Sequence, residues 1–286
     1  MGGGMTHRDY VRLPLPGMQD GALHHTHYRV AGSGPPLLLL HPSPMSSAFM
    51  QPLIELLQDQ VTVYAPDTPG YGLSDPLPQP AEDLEPYAKW LAAFMQALGL
   101  EHAGLHGSAT GAQLAIQFAR AFPEKADFVV LENAVHFTNA ERDDILSKYF
   151  PDMSPRDDAS HLALAWTMAT GLFKQFPWYD EREESRIPGA APPLGLVHAT
   201  ALAYLNSGVD YARAYKAAFE NEKATNLQAI TKPTRVIRWQ GSILKAYADR
   251  LDDFEWPEHI RMVHVDASVE ARYQAIKSNL RELLGT

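Results

Sequence analysis

Gly107-Ser108-Ala109-Thr110-Gly111 joins a short apolar run, Gly104–His106, to a helical pattern, Thr110–Phe122, that Pro123 stops. A strand that becomes a helix within so few residues brings two backbones close together. The flanking positions must then be small, and Gly107 and Gly111 meet that need. Ala109 stands between them. Outward from this turn, Leu37–Leu40 is a continuous apolar run between Pro36 and Pro42, which suits a strand buried on both faces. Tyr10–Leu13, His27–Ala31, Val61–Tyr64 and Asp127–Leu131 read as further strands. Ser46–Leu57 has helical spacing, with Phe49, Leu53, Leu56 and Leu57 on one side. Leu84–Leu98 reads as a helix, with Tyr87, Leu91, Phe94 and Leu98 on one face and Gly99 where a left-handed C-terminal residue belongs. Strands alternating with helices predict an α/β fold with a parallel sheet wrapped by helices.

From Val135 to Leu227 the strand signal stops. Aromatic-rich helical pieces are broken there by Pro151, Pro155, Pro177 and the run Pro188–Pro193. Alternation resumes with strand Thr234–Arg238, helix Ala246–Phe254, strand Ile260–Val265 and helix Val269–Leu284. The economical division is an α/β core over residues 1–135 and 228–286 with a helical insertion over 136–227.

Composition narrows the function classes. A chain of 286 residues is long enough to hide roughly 75% of its unfolded surface. Lys and Arg number 24 against 34 Asp and Glu, a net charge of −10, which disfavours nucleic-acid binding. Cysteine is absent, so disulfides, thiolate metal sites and cysteine nucleophiles are excluded. No stretch approaches a membrane span of roughly 20 apolar residues, and Met1–Val11 lacks the apolar core of a signal peptide. Met1-Gly2-Gly3-Gly4-Met5-Thr6 matches the myristoylation pattern. The expectation is a cytoplasmic protein that uses a small-molecule ligand, no membrane, no metal and no cofactor.

Three segments together resemble the α/β-hydrolase superfamily. Leu37-Leu38-Leu39-Leu40-His41-Pro42-Ser43-Pro44 is similar to the strand and turn that carry the family's oxyanion loop. Ala65-Pro66-Asp67-Thr68-Pro69-Gly70-Tyr71-Gly72-Leu73-Ser74-Asp75 is similar to its APDxxGxGxSD turn. Gly107-Ser108-Ala109-Thr110-Gly111 has the form of its nucleophile elbow. Order and spacing agree over nearly the whole chain, and the helical insertion falls where the family places its cap. The resemblance implies the capped, esterase- or haloalkane-dehalogenase-like branch.

It also exposes departures. The nucleophile position holds Ala109. Ser108 fits poorly as a substitute, because its flanking positions would be His106 and Thr110, neither of them small. No Asp or Glu lies between Lys232 and Asp249, where the family's usual acid follows its strand; Glu132 matches the alternative position after the preceding strand. The loop that carries the family's histidine reads Asp266-Ala267-Ser268-Val269-Glu270. His264 could serve if its strand ended early, and His136 could enter the pocket from the mouth of the insertion. His41, at the start of the oxyanion loop, is structural in the family, while His161 and His198 in the insertion read as surface histidines. The resemblance implies backbone donors at Ser43 and Thr110, with Pro42 and Pro44 unable to donate. Ser108 would line the pocket. Trp178 and the other insertion aromatics suit an apolar ligand or simply bury the insertion. Arg238, then Arg186 and Arg213, are candidate anion anchors.

These residues predict an enzyme of hydrolase ancestry acting on a small, largely apolar ester, lactone or C–C bond by a non-standard route, with Glu132 or His136 as base. The alternatives are a ligand-binding pseudoenzyme and an engineered nucleophile knockout of an esterase or dehalogenase.

Overall fold

Among the described residues, eight strands form one sheet in the order β1-β2-β4-β3-β5-β6-β7-β8. The strands are β1 (His7–Leu13), β2 (His24–Ala31), β3 (Pro36–Leu40), β4 (Thr62–Pro66), β5 (Ala103–Ser108), β6 (Ala126–Glu132), β7 (Thr234–Trp239) and β8 (Ile260–Val265). β2 pairs antiparallel with β1 and β4, and every pairing from β4 through β3 to β8 is parallel. The computed structural model describes residues 5–187, 189 and 191–286. The myristoylation pattern starts in residues 1–4, outside the described residues.

The helices of the sheet are α1 (Gln51–Leu57), α2 (Glu85–Ala97), α3 (Thr110–Ala121) and, at the end of the chain, α10 (Val269–Leu284). The parallel strands are apolar on both faces because both are covered. Leu105, Val129 and Leu131 pack with α2 and α3, while Phe128, Val130 and Ile237 pack with α1 and α10. Among the described residues, five α-helices lie between β6 and β7: α4 (Asn139–Lys148), α5 (Ser160–Leu172), α6 (Leu194–Ser207), α7 (Arg213–Asn221) and α8 (Ala224–Gln228). No described helix is long and apolar enough to cross a membrane.

Two local expectations need correction. The helix expected over Ser46–Leu57 begins only at Gln51, and Phe49 is exposed in the preceding turn. The helix expected over Ala246–Phe254 is a short α9 (Lys245–Ala248) that tightens into a 3-10 stretch, Asp249–Asp253. Gly99 does take a positive φ of 70° after α2.

The turn at Gly107–Gly111 is as crowded as its composition implies. A Cβ on Gly107 would lie 2.2 Å from the Gly111 carbonyl oxygen, and one on Gly111 would lie 2.2 Å from the Leu40 carbonyl oxygen. β3 and β5 pair here, with Leu40 opposite Gly107, so α3 starts pressed against the end of β3. Gly111→Ala is therefore expected to cost about 1–3 kcal/mol or more in urea denaturation. Gly195→Ala, where an added Cβ meets nothing within 4 Å, should instead raise stability, by up to about 1 kcal/mol.

Candidate active site

Ala109 sits at φ 49°, ψ −112°, between β5 and α3. A non-glycine residue pays strain for positive φ, of order 1–3 kcal/mol. Its backbone is held on both sides: the Ala109 N–H donates to the Glu132 carbonyl at 3.0 Å, and the Gln113 N–H donates to the Ala109 carbonyl at 3.0 Å. The turn thus aims its side chain, a methyl group, from the carboxyl edge of the sheet. The backbone N–H of Thr110 follows at the helix start, where amides face outward unpaired. Among the described residues neither the Thr110 nor the Ser43 amide has a hydrogen-bond acceptor. Ser43 precedes a cis peptide bond to Pro44.

The turn that carries Ser43 is organised by Asp67, which is buried. Its carboxylate accepts from the Ser47 N–H at 2.6 Å, the Leu73 N–H at 2.9 Å and the His27 ring at 2.8 Å. These bonds hold its pKa below the ordinary value despite burial. His41 is equally committed. Its Nε2 accepts the Thr68 N–H at 2.9 Å, so Nδ1 carries the proton and donates to the Pro42 carbonyl at 3.0 Å.

A cavity of about 40 Å³ adjoins the turn, room for about two or three water molecules. Ala109, Thr110 and Asn133 line it from the sheet, and Val135, Phe137, Phe176, Tyr215, Ala218, Phe219, Glu222 and Leu244 close it. Of the residues singled out in the sequence, Ala109 and Thr110 reach it, together with two of the insertion aromatics, Phe176 and Tyr215.

The others lie elsewhere, for definite reasons. Glu132 shares the face of β6 with Phe128 and Val130, so it turns toward α10, away from the cavity. Arg272, in the first turns of α10, grips it with Nε to Oε1 at 2.5 Å and Nη2 to Oε2 at 2.9 Å. The buried His106 ring stands 3.3 Å from the same carboxylate. Burial would raise the Glu132 pKa, but His106 and Arg272 outweigh it and hold the carboxyl at about 2. Such a carboxylate is a spent ion pair, not an available base. His136 packs its ring edge-on against Phe254, centroids 4.8 Å apart, and burial followed by the Arg142 and Arg250 cations lowers its pKa. β8 runs on to Val265, leaving the His264 side chain more than half exposed beside Asp252. Ser108 is buried and accepts from Asn133 Nδ2 at 2.9 Å; Asn133 Oδ1 accepts in turn from Ser242 Oγ at 2.6 Å. A neutral hydrogen-bonded chain, Ser242–Asn133–Ser108, thus links the elbow to the loop after β7. Arg238 is buried and bound by Asp249 and Asp252 at 2.8 and 2.7 Å, so it is not a free anion anchor. Arg186 and Arg213 pair with Glu183 and Asp210 near the surface. Trp178 donates its indole N–H to the Tyr149 carbonyl and packs within the helical segment, away from the cavity wall.

Sequence reading missed Glu222. It caps the C-terminal end of α7 and is buried in the cavity wall. Its Oε1 accepts from Gln113 Nε2 at 2.5 Å and from the Val135 N–H at 2.8 Å. Arg142 lies near, but its guanidinium bonds backbone carbonyls of Phe137 and Glu222 and the Asn139 side chain. Burial therefore prevails and pushes the Glu222 pKa well above the ordinary carboxylate range. A signal existed: Tyr215, Ala218, Phe219 and Glu222 stand at i, i+3, i+4 and i+7, so the carboxyl lies on an apolar stripe.

A family profile described as alpha/beta hydrolase fold matches residues 35–237. Haloalkane dehalogenase 2 of Mycobacterium tuberculosis is 30% identical over 114 residues, 40% of each chain. The soluble epoxide hydrolase of a Corynebacterium species is 38% identical over 93 residues, 32% of each chain. Across the curated relatives the matched stretch spans between 31% and 41% of either chain. The crystal structure of an enol-lactonase from Burkholderia xenovorans superposes with a TM-score of 0.69 at 20% identity, covering 97% of this chain and 100% of that one. That likeness shows the fold.

The two buried carboxyls should respond to pH in opposite directions. Glu132 has a depressed pKa, so its pairing stabilises the fold above about pH 4.5 and is lost as pH falls toward about 2. Arg272→Met should cost about 3–5 kcal/mol at pH 7, and urea midpoints at pH 3 should show a smaller difference. Glu222 has a raised pKa, so its contribution is fully present below pH 4.5 and falls as pH rises. Glu222→Gln should therefore melt higher than the unmodified protein at pH 8, with the difference narrowing at pH 4.

Proposed function

The chain belongs to the α/β-hydrolase-fold family, and within it we propose that this protein holds a small carbonyl compound non-covalently at the elbow instead of attacking it. One observation carries the reading. The elbow, its unpaired helix-start amide and an adjoining cavity are all present, while the candidate acid, Glu132, is closed into an ion pair by Arg272. Covalent catalysis needs a nucleophile and a base within hydrogen-bond reach of it. Ala109 supplies no nucleophile, and no histidine lines the cavity. What remains are donors. The Ser43 and Thr110 amides match the family's oxyanion positions, where they would polarise a carbonyl oxygen. The helical segment 136–227 acts as the cap, contributing Phe137, Phe176, Tyr215, Ala218, Phe219 and Glu222 to the wall. This lining favours a ligand that is apolar apart from one acceptor. Relatives named for haloalkanes and epoxides, and a neighbour named for an enol-lactone, support a small organic molecule.

Glu222 supports a second reading, an enzyme that moves a proton without forming a covalent intermediate, since a carboxyl that keeps its proton in an apolar wall is a competent acid. Turnover of a ketone or lactone by the unmodified chain, abolished by Glu222→Gln, would favour it.

The first reading is tested with Ala109→Ser and Ala109→Asp. With no base near residue 109, both should hydrolyse p-nitrophenyl acetate, γ-butyrolactone and 1-bromobutane within about tenfold of the unmodified protein, a difference of about 1.4 kcal/mol in barrier. A gain of about a thousandfold or more in either variant would overturn it and restore the inactivated-hydrolase alternative.

A further inference from the structure

We propose that Glu222 selects the ligand of the elbow cavity, donating a hydrogen bond from Oε2 to the carbonyl oxygen of a compound no larger than acetone. The inference rests on the reading of the cavity as a carbonyl site and names the group that recognises the carbonyl.

Hydrogen-bond accounting leads to it. The polar side chains of the cavity are Thr110, Asn133, Tyr215 and Glu222. Asn133 has its Oδ1 taken by Ser242 and an Nδ2 hydrogen directed to Ser108. The Tyr215 hydroxyl is paired with that of Tyr149 at 3.0 Å. Both lone pairs of Glu222 Oε1 are filled, by Gln113 and by the Val135 N–H. Among the described residues no group bonds to Oε2. A carboxyl whose one oxygen accepts two N–H bonds places its proton on the other. Burial, which outweighs the Val135 N–H and the nearby Arg142 cation, pushes the carboxyl pKa up and so favours the protonated form. The other Nδ2 hydrogen of Asn133 and the buried Thr110 Oγ1 are also without a partner among the described residues.

The same accounting defines the ligand. The unspent groups can all donate, and no cation lines the cavity, so it asks for a neutral acceptor rather than an anion. The remaining wall is Ala109, Val135, Phe137, Phe176, Phe219 and neighbouring apolar groups, which suit methyl or methylene carbons. A volume of about 40 Å³ limits the ligand to a few heavy atoms.

Acetone and isobutene test this, because they share a shape and differ in the acceptor. Binding of each to the full chain is followed by NMR titration, with Glu222→Gln and Glu222→Met beside the unmodified protein. The unmodified protein should prefer acetone by about tenfold, since a net hydrogen bond is worth about 0.5–1.5 kcal/mol. Glu222→Gln keeps a donor and should keep that preference within about threefold. Glu222→Met should abolish or reverse it. If Glu222→Met retains the preference, or Glu222→Gln loses it, the role of Glu222 is overturned while the carbonyl site stands. If the unmodified protein takes isobutene as well as acetone, or takes neither, the carbonyl reading itself fails. Difference infrared spectroscopy gives a measurement that does not depend on Glu222→Met folding. Acetone should shift the C=O stretch of a protonated carboxyl in the unmodified protein and produce no such signal in Glu222→Gln; an unshifted band overturns the proposal.

Discussion

The close passage of α3 across the end of β3 constrains everything near the site. Gly111 lies so near the Leu40 carbonyl, and Gly107 so near the Gly111 carbonyl, that no side chain fits at either position. The chain can enter α3 only through a residue with positive φ, and Ala109 takes that role at φ 49°. Strain of this kind persists where the surroundings over-determine it. Here they do, through the Ala109 bonds to Glu132 and Gln113 on opposite sides. The consequence is that the first amides of α3 face outward, and that Gln113, one turn in, reaches Glu222. The geometry that would present a nucleophile survives with a methyl group in its place.

Around this turn, two buried carboxyls of the same chemistry meet opposite fates. Glu132 has a guanidinium on both oxygens and stays ionised to about pH 2. Glu222 has only neutral N–H donors on one oxygen, and burial pushes its pKa up. Desolvation acts on both, so the difference is the paired cation. The charged pair faces α10 and the neutral acid faces the cavity. The space between the elbow and the loop after β7 is filled by Ser108, Asn133 and Ser242, none of them ionisable near neutral pH. The carboxyl edge of the sheet is therefore polar but uncharged where it meets the cavity.

The sheet was legible because its signals are local. Leu37–Leu40, Ile260–Val265 and Val269–Leu284 carry their own periodicity and bounds, and the glycine spacing around Ala109 reports a contact only a few residues away in sequence. The site was less legible because its partners are distant. The alternation of β6 tells which face Glu132 takes, but not that Arg272, 140 residues later, covers it. Arg272 stands four and eight residues before the buried Ile276 and Leu280, and Glu222 stands three after Phe219. Each reads as a solvated charge within a polar run, Glu220-Asn221-Glu222-Lys223 or Glu270-Ala271-Arg272. Their positions on apolar stripes were the signal, and it asks for a rule the opposite of the usual one: a charge on a buried face has a partner or has lost its charge.

The segment after β8 supports the proposed non-covalent reading independently of the side chain at residue 109. Only Asp266, Ala267 and Ser268 separate β8 from α10. Ser268 is the N-cap, its hydroxyl accepting the Ala271 N–H at 3.0 Å, and its carbonyl accepts from the Trp239 indole at 3.2 Å. Arg272 lies across the Trp239 ring, 5.2 Å from its centroid, while its guanidinium holds Glu132. A later start of α10 would release the cap, the indole bond and the ion pair together. A helix cap alone is worth about 1 kcal/mol, and breaking a buried ion pair about 3–5 kcal/mol. The short, capped loop and the Arg272 pairing are thus mutually supporting, and the three residues of that loop, Asp266, Ala267 and Ser268, include no histidine.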